Sequence, residues 1–500
     1  MKIQKKLREH CAVFGVTCND IGFSVTKVLY QGLIALQHRG QESTGISILK
    51  TGGELFTYKK NGLVSQVLEN KILSQFWGNI GIGHNRYATT GATGNKSTDY
   101  MQPFHFNNNE IEFSMAFNGT IANFDEIKKN MNEMGHVFIT DTDTEVIAQL
   151  IGSIAMGTED WPEVLKIASR LLDGSYSLIL LTPEGDIYAM RDPLGFKPLC
   201  IGELKNSKRS LYFVASESCA IDAVGGTFLR DVKPGEILHL SHQKDIHSEI
   251  ILKSNRIALC QFEYVYFARP DSIIDGVSVA EVRLRLGINL AKNDQILKNP
   301  EIRENAIVVP VPDSGRSVAV GYAKEARLPY IEGLMKNRYV HRTFIMPGQK
   351  KRKIAVKEKL NPIKSIVNGK DIILLDDSIV RGTTTQQIIA LLRDKGGAKR
   401  VHLRVSCPPI ISPCYMGIDF PTKNELIAGR LLTLSGDKYL EEIRRKTGAD
   451  TLLYQNIGDL TKAIGKDRNQ LCLACLTGEY PLKSVQKLAE MERSIVKSRT

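Results

Sequence analysis

DIILLDDSIVRGTTTQQII, from Asp371 to Ile389, decides how the rest of the chain is read. Ile372 to Leu375 form a short aliphatic run, the length of a buried strand in a parallel sheet. Two carboxylates follow, Asp376 and Asp377, and then a loop carrying Arg381, Gly382 and Thr383 to Thr385. The segment QQIIALLRDKGG has helical periodicity and stops at Gly396 and Gly397. A strand ending in paired acids and turning through glycine and threonine into a helix is a phosphate cradle. Backbone N–H groups and the positive end of the helix dipole face the loop, and hydroxyls add donors. The acids are placed to accept hydrogen bonds from sugar hydroxyls or to hold a hard cation such as magnesium. Open α/β sheets bind ligands at this end of a strand.

Working outward, Ala306–Ala323 (AIVVPVPDSGRSVAVGYA) is a second apolar strand running into a Pro/Asp/Ser/Gly turn and a helix. Lys336–Ile363 is strongly basic and lacks apolar periodicity, as suits a loop closing over an anionic substrate. Phe262, Tyr264, Tyr266 and Phe267 read as core or interface. The totals suit a globular protein of two to four domains: 500 residues, 42% apolar and 24% charged, with a net charge of +12 that suits anionic ligands. No nucleic-acid motif accompanies that charge. No run reaches the roughly 18 apolar residues of a membrane span. The basic opening MKIQKKLREH lacks a secretory core, so nine cysteines imply thiols or metal ligands in a cytoplasmic protein.

The first half supplies different parts. CAVFGV (Cys11–Val16) is a strand that opens with a thiol, and HRGQESTG (His38–Gly45) is a polar loop. GIGHNRYATTG ends a strand at Arg86, and MAFNGTIAN turns at Asn118-Gly119. DTDTEVIAQLIGSIA opens a helix in acids, with Asp143 in its first turn. Together these are a nucleophile, an oxyanion hole and charges to grip an amino acid. HQKDIHSEIILKSN reads as a polar linker, with a domain boundary near residue 250.

The Asp371–Ile389 segment resembles the phosphoribosyl-pyrophosphate (PRPP) loop of the type I phosphoribosyltransferases. That resemblance implies PRPP contacts at Asp376, Asp377, Ser378, Arg381, Gly382, Thr383, Thr384 and Thr385. It also implies a closing loop with Lys336, Arg338, Tyr339 and Arg342, and one magnesium ion at Ser314, Asp376 and Asp377. The stretch from Cys11 to Glu236 resembles the N-terminal-nucleophile glutamine amidotransferases. There the resemblance implies an αββα sandwich, with Cys11, Asn118 and Gly119 catalytic and Arg39, Arg86 and Asp143 at the glutamine. In that family the nucleophile's own α-amino group is the base, so residues 1–10 are expected to be a removable propeptide. An α-amino group, with a pKa of roughly 7.7–8.0, can take up a proton near neutrality, and an amide cannot.

Cys260, Cys414, Cys472 and Cys475 stand in contexts similar to the iron–sulphur branch of the amidophosphoribosyltransferases. The resemblance implies one [4Fe–4S] cluster, with zinc as the alternative. Cys407 and the other remaining cysteines are expected to have no role. The expected division is 1–10 propeptide, 11–245 glutaminase, 255–450 transferase with a central parallel sheet, and 451–500 a segment with two cluster cysteines. The two resemblances imply that glutamine yields ammonia, which reaches C1 of PRPP inside the protein and gives phosphoribosylamine and pyrophosphate. They also imply purine nucleotide inhibitors, a homotetramer and the first committed step of purine synthesis. Sugar-isomerase-type synthases lack the acidic PRPP loop, asparagine synthetases carry an SGG-type motif not found here, and a PRPP-sensing regulator has no use for the Cys11 constellation.

Overall fold

The computed structural model describes residues 11–87, 98–158, 160–241, 246–337, 360–432, 434 and 437–497, with backbone alone at 437 and 492–497. The expected propeptide 1–10 and Arg338, Tyr339 and Arg342 lie outside the described residues.

Two antiparallel sheets face each other in the first half. In the seven-stranded sheet, Ala12–Cys18 lies between Ser210–Ala215 and Ile80–Arg86, with Ser43–Leu49 and Leu55–Asn61 beyond the latter. The six-stranded sheet runs His247–Ile250, Glu236–Ser241, Asp186–Arg191, Gly174–Leu181, Glu112–Ile121, Phe104–Asn107. Val13, Ile82, Ala116, Ile179, Ile187 and Val214 fill the space between the sheets. Helices Thr26–Ala35 and Ser218–Ala223 cover the outer face of the first sheet. Asp143–Ala155 and Trp161–Leu171 cover the outer face of the second, which gives an αββα sandwich. Central strands buried on both faces need apolar residues at successive positions, which is why Ala12–Cys18 and Gly174–Leu181 are buried throughout. The Asp143–Ala155 helix starts where the Thr142 hydroxyl accepts from Glu145 N–H, with two acids in its first turn.

The second half carries a four-stranded parallel sheet in the order Ala306–Pro310, Asp371–Asp376, Arg400–Val405, Thr451–Tyr454. Val279–Asn293 and Arg316–Ala326 pack on one face, Thr383–Asp394 and Asp437–Thr447 on the other. The expected linker at 242–255 contains the strand His247–Ile250, which pairs with Glu236–Ser241, so the first sandwich continues past 245. Likewise Thr451–Tyr454 is part of the parallel sheet rather than of a separate tail. Short edge strands with polar residues are hard to tell from linkers before their partners are known. Phe262 and Tyr264 are buried in a core that also takes in Leu194 and Phe196 of the sandwich, Tyr266 packs against that core, and Phe267 is buried beneath the Arg39 guanidinium.

Candidate active site

Cys11 begins the central strand of the sandwich and is fully buried. Its backbone N–H donates to Asn118 Oδ1 at 3.2 Å, and its carbonyl accepts from Arg39 Nε at 3.4 Å. Ala12 pairs with Asn85, which sets Cys11 beside Arg86 at the strand end. Arg86 is 2% exposed and lies 3.7 Å from Glu42. The Asn118 Nδ2 atom is buried with no hydrogen-bond partner among the described residues. Gly119 follows because a Cβ there would stand 2.3 Å from the Ser175 carbonyl on the neighbouring strand. Asp143 accepts from Ile121 N–H at 2.9 Å, which fixes its carboxylate two residues beyond the Asn-Gly pair. The nearby His84 is held neutral by burial, its pKa down to about 3, while Nε2 bonds the Phe117 carbonyl at 3.1 Å. Such an imidazole is a poor base for a thiol.

The parallel sheet builds a second site at the carboxyl ends of Ala306–Pro310 and Asp371–Asp376. Asp376 and Asp377 are each 7% exposed. Burial first, and for Asp376 its acidic neighbour second, pushes both carboxyls up from their ordinary values. Asp377 accepts from the hydroxyls of Ser314 and Ser378, the latter at 2.5 Å, so the Asp313-Ser314-Gly315 turn and the acids form one site. Lys336 is paired with Asp313. Gly382 has φ +79° and precedes the helix Thr383–Asp394, with Thr383 and Thr384 exposed and Thr385 buried. The guanidinium of Arg381 is paired with Glu425 at 3.2 Å. Two carboxylates beside a place for a diphosphate are a donor set able to hold a magnesium ion.

The four expected cluster cysteines are all buried in one apolar core. Cys260 and Cys472 are register partners in a two-stranded parallel pair. Ile411 and Ser412 N–H groups donate to the Cys475 carbonyl at 2.9 and 3.1 Å, which fastens the Cys414 segment to Cys475. Met416 and Ile418 N–H groups point at Cys414 Sγ, both at 3.3 Å, and Gln261 Nε2 points at Cys475 Sγ at 3.4 Å. Among the described residues no three His, Cys, Asp or Glu side chains converge as ligands of a single ion.

A glutamine amidotransferase domain family matches residues 84–223. The amidophosphoribosyltransferase of Methanocaldococcus jannaschii is 44% identical, over 94% of this chain and 97% of its own length. That of Bacillus subtilis is 40% identical over 96% of each. This chain belongs to the amidophosphoribosyltransferase family. A solved structure of the B. subtilis glutamine PRPP amidotransferase, complexed with ADP and GMP, superposes with a TM-score of 0.82 at 40% identity, covering 95% of this chain and 98% of that one. The amidotransferase sandwich followed by a phosphoribosyltransferase domain is thus the family's fold. The activity is that of a glutamine-dependent pentosyltransferase, the first step of purine biosynthesis. Among the described residues no helix is long and apolar enough to cross a membrane.

The geometry adds residues that motif reading passes over. Arg39, expected at the glutamine, spends its guanidinium inside the protein on Glu217 and Glu263, at 2.5 and 2.6 Å. Ser216 Oγ accepts from Val13 N–H at 2.9 Å. Glu217 follows the strand Ser210–Ala215, and nothing in its local sequence marks it as the partner of an arginine in another loop.

Proposed function

We propose that Cys11 is the glutaminase nucleophile and that Asp376 and Asp377 hold PRPP. The observation that carries the first assignment is the Cys11–Asn118 contact. One oxygen of the Asn118 amide is bonded to the Cys11 nitrogen, and the amide's N–H2 is left for a developing oxyanion. Removal of residues 1–10 would turn that nitrogen into an α-amino group able to take the thiol proton. Attack by Sγ on the glutamine side-chain amide gives a tetrahedral oxyanion that Asn118 Nδ2 and Gly119 N–H stabilise. Ammonia departs, and water releases glutamate from the thioester. Arg86 would bind the substrate α-carboxylate, Asp143 its α-ammonium.

At the second site Thr383–Thr385, the first turn of the helix Thr383–Asp394, would cradle the 5′-phosphate while Asp376 and Asp377 accept from the ribose hydroxyls. Ser378, Arg381 and Gly382 shape that loop, and Lys336, with Arg338, Tyr339 and Arg342, would meet the diphosphate. A magnesium ion at Ser314, Asp376 and Asp377 would offset the buried negative charge and the charge of departing pyrophosphate. Ammonia passed internally attacks C1, since free ammonia in water at neutral pH is mostly protonated. Cys260, Cys414, Cys472 and Cys475 would hold a [4Fe–4S] cluster, which would lend the buried thiolates their counter-charge. Zinc, which four thiolates bind at about 2.3 Å, is the alternative occupant of the same four residues. The same reading takes purine nucleotides as inhibitors, as ADP and GMP sit in the B. subtilis relative, in a cytoplasmic tetramer.

Replacing the nucleophile tests the division of labour. Cys11→Ala is expected to abolish glutamine-dependent synthesis and to leave synthesis from added ammonia and PRPP. Retained use of glutamine would remove Cys11 from the mechanism, and loss of both activities would refute two separable sites.

A further inference from the structure

Arg39 belongs to the sandwich, yet its two-pronged bond leaves it. The side chain is fully buried. Its Nη atoms donate to both oxygens of Glu263, at 3.0 and 2.6 Å, and to Glu217 Oε1 at 2.5 Å, while the guanidinium lies 4.5 Å over the Phe267 ring. Glu217 is sandwich; Glu263 and Phe267 are the two ends of a π turn, Glu263–Phe267, that opens the second domain. That turn is itself clamped by the buried Arg283, which donates to the carbonyls of Tyr264 and Ala268 at 2.9 and 2.8 Å. The third nitrogen, Nε, donates to the Cys11 carbonyl at 3.4 Å. A π turn is rare and is found often at functional positions.

We infer that Glu263 of the second domain, acting through Arg39, is a positioning residue for the nucleophile. The inference rests on Cys11 being that nucleophile. Once residues 1–10 are gone, Cys11 is a chain end whose backbone is held at its nitrogen by Asn118 and at its carbonyl by Arg39. Fixing the carbonyl fixes rotation about the Cα–C bond, and so the direction in which amine and thiol project from the strand. An arginine held by one carboxylate could swing on its four-carbon stem. Held by two carboxylates from two domains and backed by a ring, it presents Nε in one direction. The glutaminase half is therefore incomplete without the first turn of its neighbour. This is a different role from contacting glutamine, because each of the three Arg39 side-chain nitrogens already donates within the protein.

The test uses the full-length, processed enzyme carrying Glu263→Gln, and separately Phe267→Leu, which loosens the arginine without breaking the ion pair. Rates with glutamine and with ammonia are compared, together with the rate at which a glutamine-like diazoketone alkylates Cys11. Displacing a reacting group by about 1 Å can cost up to roughly a hundredfold. The expected result for Glu263→Gln is a fall of about tenfold or more in glutamine kcat/KM and in alkylation, with ammonia-dependent synthesis unchanged. Phe267→Leu should show the same pattern, smaller. Glutamine kinetics like the parent's in both variants, or ammonia- and glutamine-dependent rates falling in parallel, would overturn the inference. Should Glu263→Gln fail to fold, Phe267→Leu alone decides. A parent enzyme whose Cys11→Ala form still used glutamine would instead sink the nucleophile assignment, so the two failures are separable.

Discussion

Asn118 accepts from Cys11 N–H through Oδ1, and its buried Nδ2 has no partner among the described residues; in the proposed mechanism that N–H2 meets a charge that exists only during reaction. A donor of that kind contributes in the transition state and little in the ground state. Asn118→Ala should therefore lower kcat for glutamine by about 10²–10³ and leave KM for glutamine nearly as it was. Steady-state kinetics with glutamine varied will show it; a rise in KM at constant kcat would make Asn118 a binding residue instead. The Asp376-Asp377 pair was legible in the sequence because it is a local event, polar residues where an apolar strand stops. The turn expected at Asn118-Gly119 is absent, since the strand Glu112–Ile121 runs through both residues, paired with Ser177 and Tyr176. Glu217 and Glu263 were not legible. Their partner Arg39 lies 178 and 224 positions away, and a glutamate after an aliphatic strand or among aromatics reads as solvated until the fold brings the arginine to it.

At the scale of elements, the strand Thr227–Asp231 and the hairpin Ile273–Ser278 meet across the domain seam. Arg191 forms a two-pronged bond to Asp275 at 2.8 and 2.9 Å, and Gly276 N–H donates to Asp231 Oδ2 at 3.0 Å. Two carboxylates thus share one guanidinium. Burial first, and Asp275 second, push Asp231 up to about 6. Its ordinary value is about 3.9, so between about pH 4 and 6 the folded protein holds more protons than the unfolded chain. Stability then falls as pH rises through that window, and above it the full cost of the buried charge remains. Asp231→Asn keeps an acceptor for Gly276 and removes the charge. The variant should be more stable than the parent at pH 8, by on the order of 2 kcal/mol, with the gain gone near pH 4. Denaturant unfolding at the two pH values checks this; an equal difference at both would mean that Asp231 titrates normally. Element types were readable where period and length agreed, as for Asp371–Asp376 and the helix Thr383–Asp394 that follows Gly382. The strand His247–Ile250 was not readable, since it is exposed along its length and exists by pairing alone.

Across the whole molecule, the core around Cys260, Cys414, Cys472 and Cys475 is the part that draws on both halves. Leu194 and Phe196 enter it from the sandwich, and Ala258 to Tyr264 enter from the first turn of the transferase domain. The Cys407–Phe420 and Leu460–Tyr480 segments enter from its far end. Ser175 Oγ donates to the Met416 carbonyl at 2.7 Å, a further tie from the sandwich to the Cys414 segment. Buried thiols resist ionisation, and burial holds Cys260, Cys472 and Cys475 above the ordinary thiol value. Four thiolates are stable in such a place only with bound cations, so metal content and integrity of this core should rise and fall together. Protein purified without oxygen is expected to carry about four iron atoms per chain and a mass short by residues 1–10. Stripping the iron should lower the thermal midpoint and open the Cys407–Phe420 and Leu471–Tyr480 segments to proteolysis before the sandwich is cut. The sandwich has its own core between its sheets and does not depend on these thiols. Zinc at one atom per chain would put a single-ion site in place of the cluster. Iron removed with no change in melting or cleavage would detach the metal from the seam altogether, leaving the apolar packing of Leu194 and Phe196 against the second domain to hold the halves.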